Sequence, residues 1–577
     1  MSRRPFRVES LAIIVALLLA GCDADQTPST AVSTDPGTTR ADATACEAAT
    51  IEAQDFVPAE PEPLVRLRGA KDPGQEELNQ EGPPPVPVDD AVDLAAIEES
   101  VFAPPRGAEG EERPEDALAY QLAPIPPHPI SPQVEPEVAV AGDRVLMTWN
   151  FNAAVSDNGG ASFRFLSPFT TFPDQADRFW GDQRAEYSAA HDLWLWVLMY
   201  KQDAAGSNFI RLGVAPGDSV FDGSRGTYYD WSPEATGFPG RVWFDQPKVA
   251  TTSEHAYLSI NAFGSDGTGF HGAIVIRMSL AALAAGADPQ AQCFFPGTDA
   301  TIGYPYFGPY LTRGAADTMY FAAHRNTSSL AVWRWRDSED SVTVHTVQDR
   351  YRWPANGDYD DPARSDYTCR RAIRLADGSQ GMSPDTSDWC LRLSDGRAKN
   401  DGRITSGWVA VSSREIGFAW NIASFDNPDT DTVDLPYPAV WVVTLNESQI
   451  DSCLQGECIT GRPWLMDPGY AIQYAAIAPN ARGDLGAVVL TGGGSTRHGG
   501  YLTCMAAIRD ESSGGAWHFI DLAASDTDVP RPSSGDYLGV WPNGPASNTW
   551  SASCMTYEQG IGDRIHYARF GRRADIP

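Results

Sequence analysis

Three short stretches of the chain repeat a carboxylate beside an amide or a phenol. They are Asp182-Gln183 in WGDQ, Asp245-Gln246 in WFDQP and Asp536-Tyr537 in SGDY. Tyr304 and Tyr306 (YPY) and Arg403 (RIT) hold comparable places in their own stretches. Such groups, brought together, make a polar pocket. Paired carboxylates there could serve as acid and base in glycoside cleavage. The same side chains also suit hydrogen bonds that bridge neighbouring elements through backbone groups. His271 (GFHG) and His324 (FAAHRN) add candidates for acid–base work beside a Tyr. His498, in TGGGSTRHGG, sits in a Gly-rich loop that lacks P-loop spacing, so nucleotide binding has no support. Asp358, Asp360 and Asp361 (GDYDDP), and Asp426, Asp429 and Asp431 (DNPDTD), offer hard oxygen ligands that suit calcium. Neither loop has EF-hand order, and solvated loop tips are the favoured reading of both. No other cofactor is expected.

Each of these stretches leads into an aromatic-rich run with strand periodicity. Asp182 precedes LWLWVLMY, Asp245 precedes HAYLSINAF, and Tyr537 precedes NTWSASCMTY. Weaker copies begin at Tyr304, Arg403 and Tyr474. A further unit opens at Pro136, where Val138, Val140, Val145, Met147 and Trp149 alternate across a Gly142-Asp143 hairpin. The seven units predict an all-β chain, folded as a seven-bladed β-propeller with six blades as the runner-up. Closing a ring removes exposed sheet edges. The fourth unit carries an insertion holding Cys369 and Cys390. Trp194, Trp196, Trp333 and Trp335 are spaced by two on single strands, as inter-blade core residues would be.

The first unit ends in Ser156-Asp157-Asn158-Gly159-Gly160-Ala161-Ser162-Phe163. This turn resembles the Asp-box of sialidase-type propellers, with Asn158 where Asp is usual. The resemblance to exported sialidase-like propeller proteins covers roughly residues 133–570. It implies a ligand site where the inner strands enter the central channel. It also raises sialidase-like hydrolase and polysaccharide lyase as activities. The family's Arg-Ile-Pro segment has no counterpart after Pro136; Arg144, in a hairpin, is the only Arg in that window.

The N-terminus reads as an export signal: Arg3, Arg4 and Arg7, then an apolar run from Leu11 to Ala20. Leu19-Ala20-Gly21-Cys22 resembles the lipobox of bacterial lipoproteins, which implies acylation of Cys22 (palmitate among the chains) and a membrane anchor. Residues 1–22 are thus the signal, residues 23–130 a Pro- and acid-rich tether expected to be disordered, and residues 131–577 the propeller. The other eight Cys form an even set suited to disulfides in an exported chain. Proximity suggests Cys453 with Cys458, Cys369 with Cys390 and Cys504 with Cys554, out of 105 possible pairings. Cys46, if paired with the body, would bring part of residues 45–70 against it. A net charge of −33 over 577 residues argues against nucleic acid as a partner. The expected protein is a monomeric body, anchored in the bacterial cell envelope and facing the periplasm or exterior. It would bind a glycan or an envelope protein at the channel mouth, without chemistry. A carbohydrate-active enzyme and an envelope scaffold are the alternatives.

Overall fold

The computed structural model describes residues 38–46, 54–56, 117–125, 134–172, 179–217, 226–267, 269–299, 304–349, 372–374, 380–382, 403–422, 437–453, 456–492, 501–527, 537–544 and 548–576. Seven antiparallel sheets succeed one another along the chain. Their innermost strands are Glu137–Ala141, Phe179–Ser188, Val242–Thr251, Tyr310–Leu311, Ile404–Ala410, Ala471–Pro479 and Gly539–Pro542, in blades I to VII. The seven-bladed propeller expected from the repeat is the architecture found.

Hydrogen bonds join every neighbouring pair of blades. The Gln183 amide donates to the carbonyls of Trp149 (2.7 Å) and Asn152 (2.9 Å), linking II to I. Asn208 donates to Phe244 O (2.7 Å) from II to III, and Ser259 to Pro309 O (2.7 Å) ahead of IV. Arg313 N donates to Gly407 O (3.0 Å) between IV and V, and Ile477 N to Ser406 Oγ (2.9 Å) between VI and V. The Trp550 indole donates to Ala478 O (3.0 Å) between VII and VI, and Ser553 Oγ to Pro136 O (2.9 Å) closes VII on I. The apolar residues of successive blades pack face to face, so the core lies between sheets. The expectation for the paired tryptophans holds: Trp194, Trp196, Trp333 and Trp335 are all at most 4% exposed.

The expected tether is corrected in part. Four pieces of residues 23–130 are strands on outer blade edges. Thr38–Asp42 extends blade IV, Thr44–Ala45 blade III and Gln54–Phe56 blade II. Leu118–Pro124 supplies the fourth strand of blade VII, paired with His566–Arg572. The physical reason is that an unpaired sheet edge leaves backbone donors and acceptors open, and even a polar segment satisfies them by pairing. Cys46 is bonded to Cys293 of blade III, which fastens this segment to the body. Cys453–Cys458 and Cys504–Cys554 are also disulfides, as expected. Cys22, Cys369 and Cys390 lie outside the described residues, as does the Leu11 to Ala20 run.

The turn after the third strand of blade I is held by its own side chains. Ser156 Oγ accepts from Gly160 N (2.9 Å), and Asn158 Oδ1 accepts from Ser162 N (3.0 Å) and Ser156 Oγ (2.9 Å). Gly160 has φ +88°, and a Cβ there would lie 2.1 Å from Tyr567 Cε1. The turn is therefore a packing device against blade VII, where Phe163 meets Tyr567 edge-on at 5.5 Å.

Candidate functional site

Inner strands run toward the axis with alternate side chains facing it. In blade II, Asp182 and Arg184 face inward, and Gln183 turns away. In blade III, Gln246 and Lys248 face inward, and Asp245 does not. The two motifs are thus offset by one residue. The cause is Gln246, which takes φ +49°, and a register shift between Asp245 and Lys248. Such a bulge re-aims the side chains beyond it.

Asp182, Arg184, Gln246, Lys248, Tyr310, Arg403, Ile404, Thr405 and Tyr537 line one pocket at the channel mouth, about 320 Å³ including its opening. Arg184 is 6% exposed. Its Nε donates to Pro247 O (3.1 Å), its Nη1 to Glu137 Oε2 (3.1 Å), and its guanidinium lies 3.2 Å from the centroid of the Tyr537 ring. The Tyr537 hydroxyl donates to Gln183 O (2.9 Å), which fixes the ring. Lys248 Nζ donates to Gln246 O (3.3 Å). Gln246 Oε1 accepts from Asn261 Nδ2 (3.0 Å), whose Oδ1 accepts from Gly308 N (2.9 Å).

Below the pocket, buried charges fill the channel. Glu137 receives Arg184 on one oxygen and Arg313 on the other, both at 3.1 Å. Arg313 Nε also stands 3.5 Å from Glu186. Gly539 admits the Glu137 carboxylate, since a Cβ there would lie 2.6 Å from Glu137 Oε1.

In and beneath the pocket one amine and one carboxyl are shifted far from their ordinary values. Burial, reinforced by Arg184 and Arg403, pushes Lys248 down to about 7, against the opposing pull of Asp245 and Asp182. Burial, with Glu137 adding repulsion, pushes Glu186 up to about 8, although Arg313 and the Thr251 hydroxyl favour its anion. Burial also raises Tyr310 and Tyr537, so both phenols stay protonated donors. A carboxyl raised in the folded state stabilises it most at low pH. From the ordinary carboxyl range up to about 8, the folded protein holds a proton that the unfolded chain releases, so stability falls as pH rises. Glu186→Gln is expected to remove a decline of up to ~1.4 kcal/mol per pH unit across that window. Thermal melts at pH 5, 6.5 and 8 check this; parallel profiles for the two proteins would contradict it.

Four of the sequence candidates therefore meet in the pocket: Asp182, Gln246, Arg403 and Tyr537. Two do not. Gln183 is fully buried, bridging blades and accepting from the Trp196 indole (2.8 Å). Asp245 is 3% exposed and accepts from Gln246 N (2.8 Å). The reason in both cases is strand alternation, which sends one member of each pair toward the neighbouring sheet. Tyr306 donates to Asp299 (2.7 Å) in a cluster with Arg325, away from the pocket lining. Tyr304 lies in the small ribbon Thr298–Asp299 with Tyr304–Pro305, outside the blade sheets. His324 packs edge-on to Trp420 at 4.9 Å between blades IV and V. His271 is exposed on the third strand of blade III. Neither His lines the pocket. Arg144 pairs with Asp192 (3.3 Å), near the surface. Asp536, His498, the calcium candidates Asp358, Asp360 and Asp361, and the loop of Asp426, Asp429 and Asp431 lie outside the described residues. Among the described residues, no group of three His, Cys, Asp or Glu is placed to hold a metal.

Sequence reasoning missed Arg184, Lys248 and Tyr310. The first two were signalled: each stands two residues beyond an inward residue, on the same face of its strand. Tyr310 was masked by the ribbon, which delays the inner strand of blade IV.

No known family profile matches the chain, and no curated protein is similar to it. Solved structures that resemble it include a polysaccharide lyase (11% identity, 92% of this chain and 100% of that one, TM-score 0.37). An α-L-arabinofuranosidase of Fusarium graminearum is similar over 77% of this chain and 94% of its own (9% identity, TM-score 0.33). A mutant of Trypanosoma rangeli sialidase is similar over 66% of this chain and 52% of its own (9% identity, TM-score 0.26). At these identities and scores no chemistry follows from the likeness.

Proposed function

We propose that this propeller binds a carboxylate-bearing glycan at its channel mouth. One observation carries the reading: Arg184, Lys248 and Arg403 line one pocket whose lining holds one carboxylate, Asp182, with Glu137 engaging Arg184 beneath it. The contrast with a chain of net charge −33 is sharp. Two guanidiniums suit a planar anion, and Tyr310 and Gln246 suit hydroxyls at its edges. The cell-envelope reading belongs to this proposal. Acylated Cys22 would anchor the protein, and the 16 residues from Cys22 to Thr38 give a stem of at most about 55 Å. The body would then sit close to the bilayer.

Lys248 favours a second reading, a carbohydrate-active enzyme. An amine that is half free base near pH 7, beside two phenols, suits proton abstraction next to a bound carboxylate. The envelope-scaffold alternative has less support. The exposed large apolar residues among those described are few: Tyr120 and Leu122, two apart on the outer strand of blade VII, and Val411 and Ile561 in two hairpins.

The test is a glycan array on residues 23–577, followed by product analysis of each hit. Acidic glycans are expected to bind and neutral ones not. Arg403→Ala, at a half-buried position, is expected to weaken binding by about 2 kcal/mol, roughly thirtyfold. Equal retention of neutral glycans would contradict the reading. New product would move it to the enzyme.

A further inference from the structure

We infer that the pocket is one end of a longer cleft, and that Trp243, Phe270 and Phe307 form a second subsite that stacks against the next sugar ring of the same chain. The inference rests on the acidic-glycan reading of the pocket. These three rings are half-buried, unlike the sealed tryptophans of the inter-blade core. They gather around Phe263, which is 6% exposed and forms their backing. Trp243 stacks on Phe263 at 5.4 Å with 30° between planes. Phe270 meets Phe263 at 5.6 Å and Phe307 at 4.8 Å.

The cluster adjoins the pocket, with the buried Gly308 and Asn261 between them. Phe307 precedes Gly308, and a Cβ at Gly308 would lie 3.5 Å from Lys248 Nζ. Asn261 bonds both Gly308 N and the Gln246 side chain. Trp243 lies on the same inner strand as Gln246, three residues earlier and hence about 10 Å along it. A sugar seated in the pocket by its carboxylate therefore leads its neighbour onto these rings. The C–H face of a pyranose is apolar and its rim carries hydroxyls. Covering half-exposed aromatic faces with such a ring removes apolar area from water while the hydroxyls stay solvated.

Calorimetric titration tests this with glucuronate, galacturonate and sialic acid, and with a tetrasaccharide ending in whichever binds best. In the unmodified protein the tetrasaccharide is expected to bind about tenfold tighter than the monosaccharide. Trp243→Ala is expected to abolish that gain and leave the monosaccharide within about twofold, while Trp243→Phe keeps most of it. Should Trp243→Ala not fold, Phe270→Ala serves in its place with the same expectation. A gain that survives these variants, or a tetrasaccharide that binds no better than the monosaccharide, overturns the second subsite and leaves the pocket reading standing. Failure of all three monosaccharides and the tetrasaccharides they terminate to bind overturns both.

Discussion

At pH 7.5 the binding of an acidic saccharide is expected to take up about three quarters of a proton per site from the buffer. Lys248 is the group that accepts it. In the free protein burial and its two arginine neighbours hold it near 7, so about three quarters of the molecules carry a neutral amine at pH 7.5. A carboxylate seated among Arg184, Arg403 and Lys248 offsets that repulsion and lifts the amine back toward its ordinary range. The sign follows from linkage. Bound protein holds the proton more tightly than free protein, so affinity falls as pH rises above 7, by up to about tenfold per unit. Below about pH 6 the amine is already charged and the dependence flattens. Asp182 and Asp245 pull the other way in the free protein as well as in the bound one. Calorimetry in two buffers of different ionisation enthalpy measures the uptake directly. Lys248→Met is expected to abolish it and to weaken binding by about 2–3 kcal/mol. Tight binding with no proton uptake would place the ligand's charge somewhere other than at Lys248.

A protein lacking residues 1–130 is expected to fail as a soluble monomer, whereas one lacking residues 1–37 melts as the full chain does. The longer deletion removes Leu118–Pro124 from blade VII and exposes the strand ending at Arg572. It also strips the outer strands from blades II, III and IV. Four sheets then present bare edges, which pair with other copies. The Cys46–Cys293 bond goes too, and a cross-link of sequence separation 247 restricts the unfolded chain strongly, by about 5 kcal/mol in the chain-entropy account. The ring itself keeps three strands in blade VII, so some collapse persists while closure weakens. Size-exclusion chromatography and thermal melts of the two truncations decide the matter. A stable monomer spanning residues 131–577, with an unchanged melting temperature, would show that the N-terminal strands are ornament.

The blade count was legible because each unit brings its own alternating, aromatic strands, and those need little from the rest of the chain. Trp194 and Trp196 announce a blade wherever they stand. The outer strands were not legible. Thr38–Asp42 reads TTRAD, a polar segment that becomes a strand only because Ser341–Gln348 offers it an edge. The site was legible by halves. Repetition drew attention to Asp182-Gln183 and Asp245-Gln246, and strand alternation guaranteed that one residue of each pair would face the axis. Which one depends on the left-handed turn at Gln246, a conformation that leaves no mark when the residue is not Gly. In blade IV the sequence points to Tyr304 and Tyr306. The true inner strand there, Tyr310–Leu311, is too short to show a period.

The central claim is that the channel mouth recognises a carboxylate, and a matched pair of ligands tests it most directly. The best-binding acidic monosaccharide and its methyl ester have nearly the same shape and differ by one charge. Titrated side by side at pH 6.5, the acid is expected to bind at least about thirtyfold tighter, in keeping with about 2 kcal/mol or more from charge-assisted contacts to Arg184 and Arg403. Equal affinity for the acid and its ester would contradict the account.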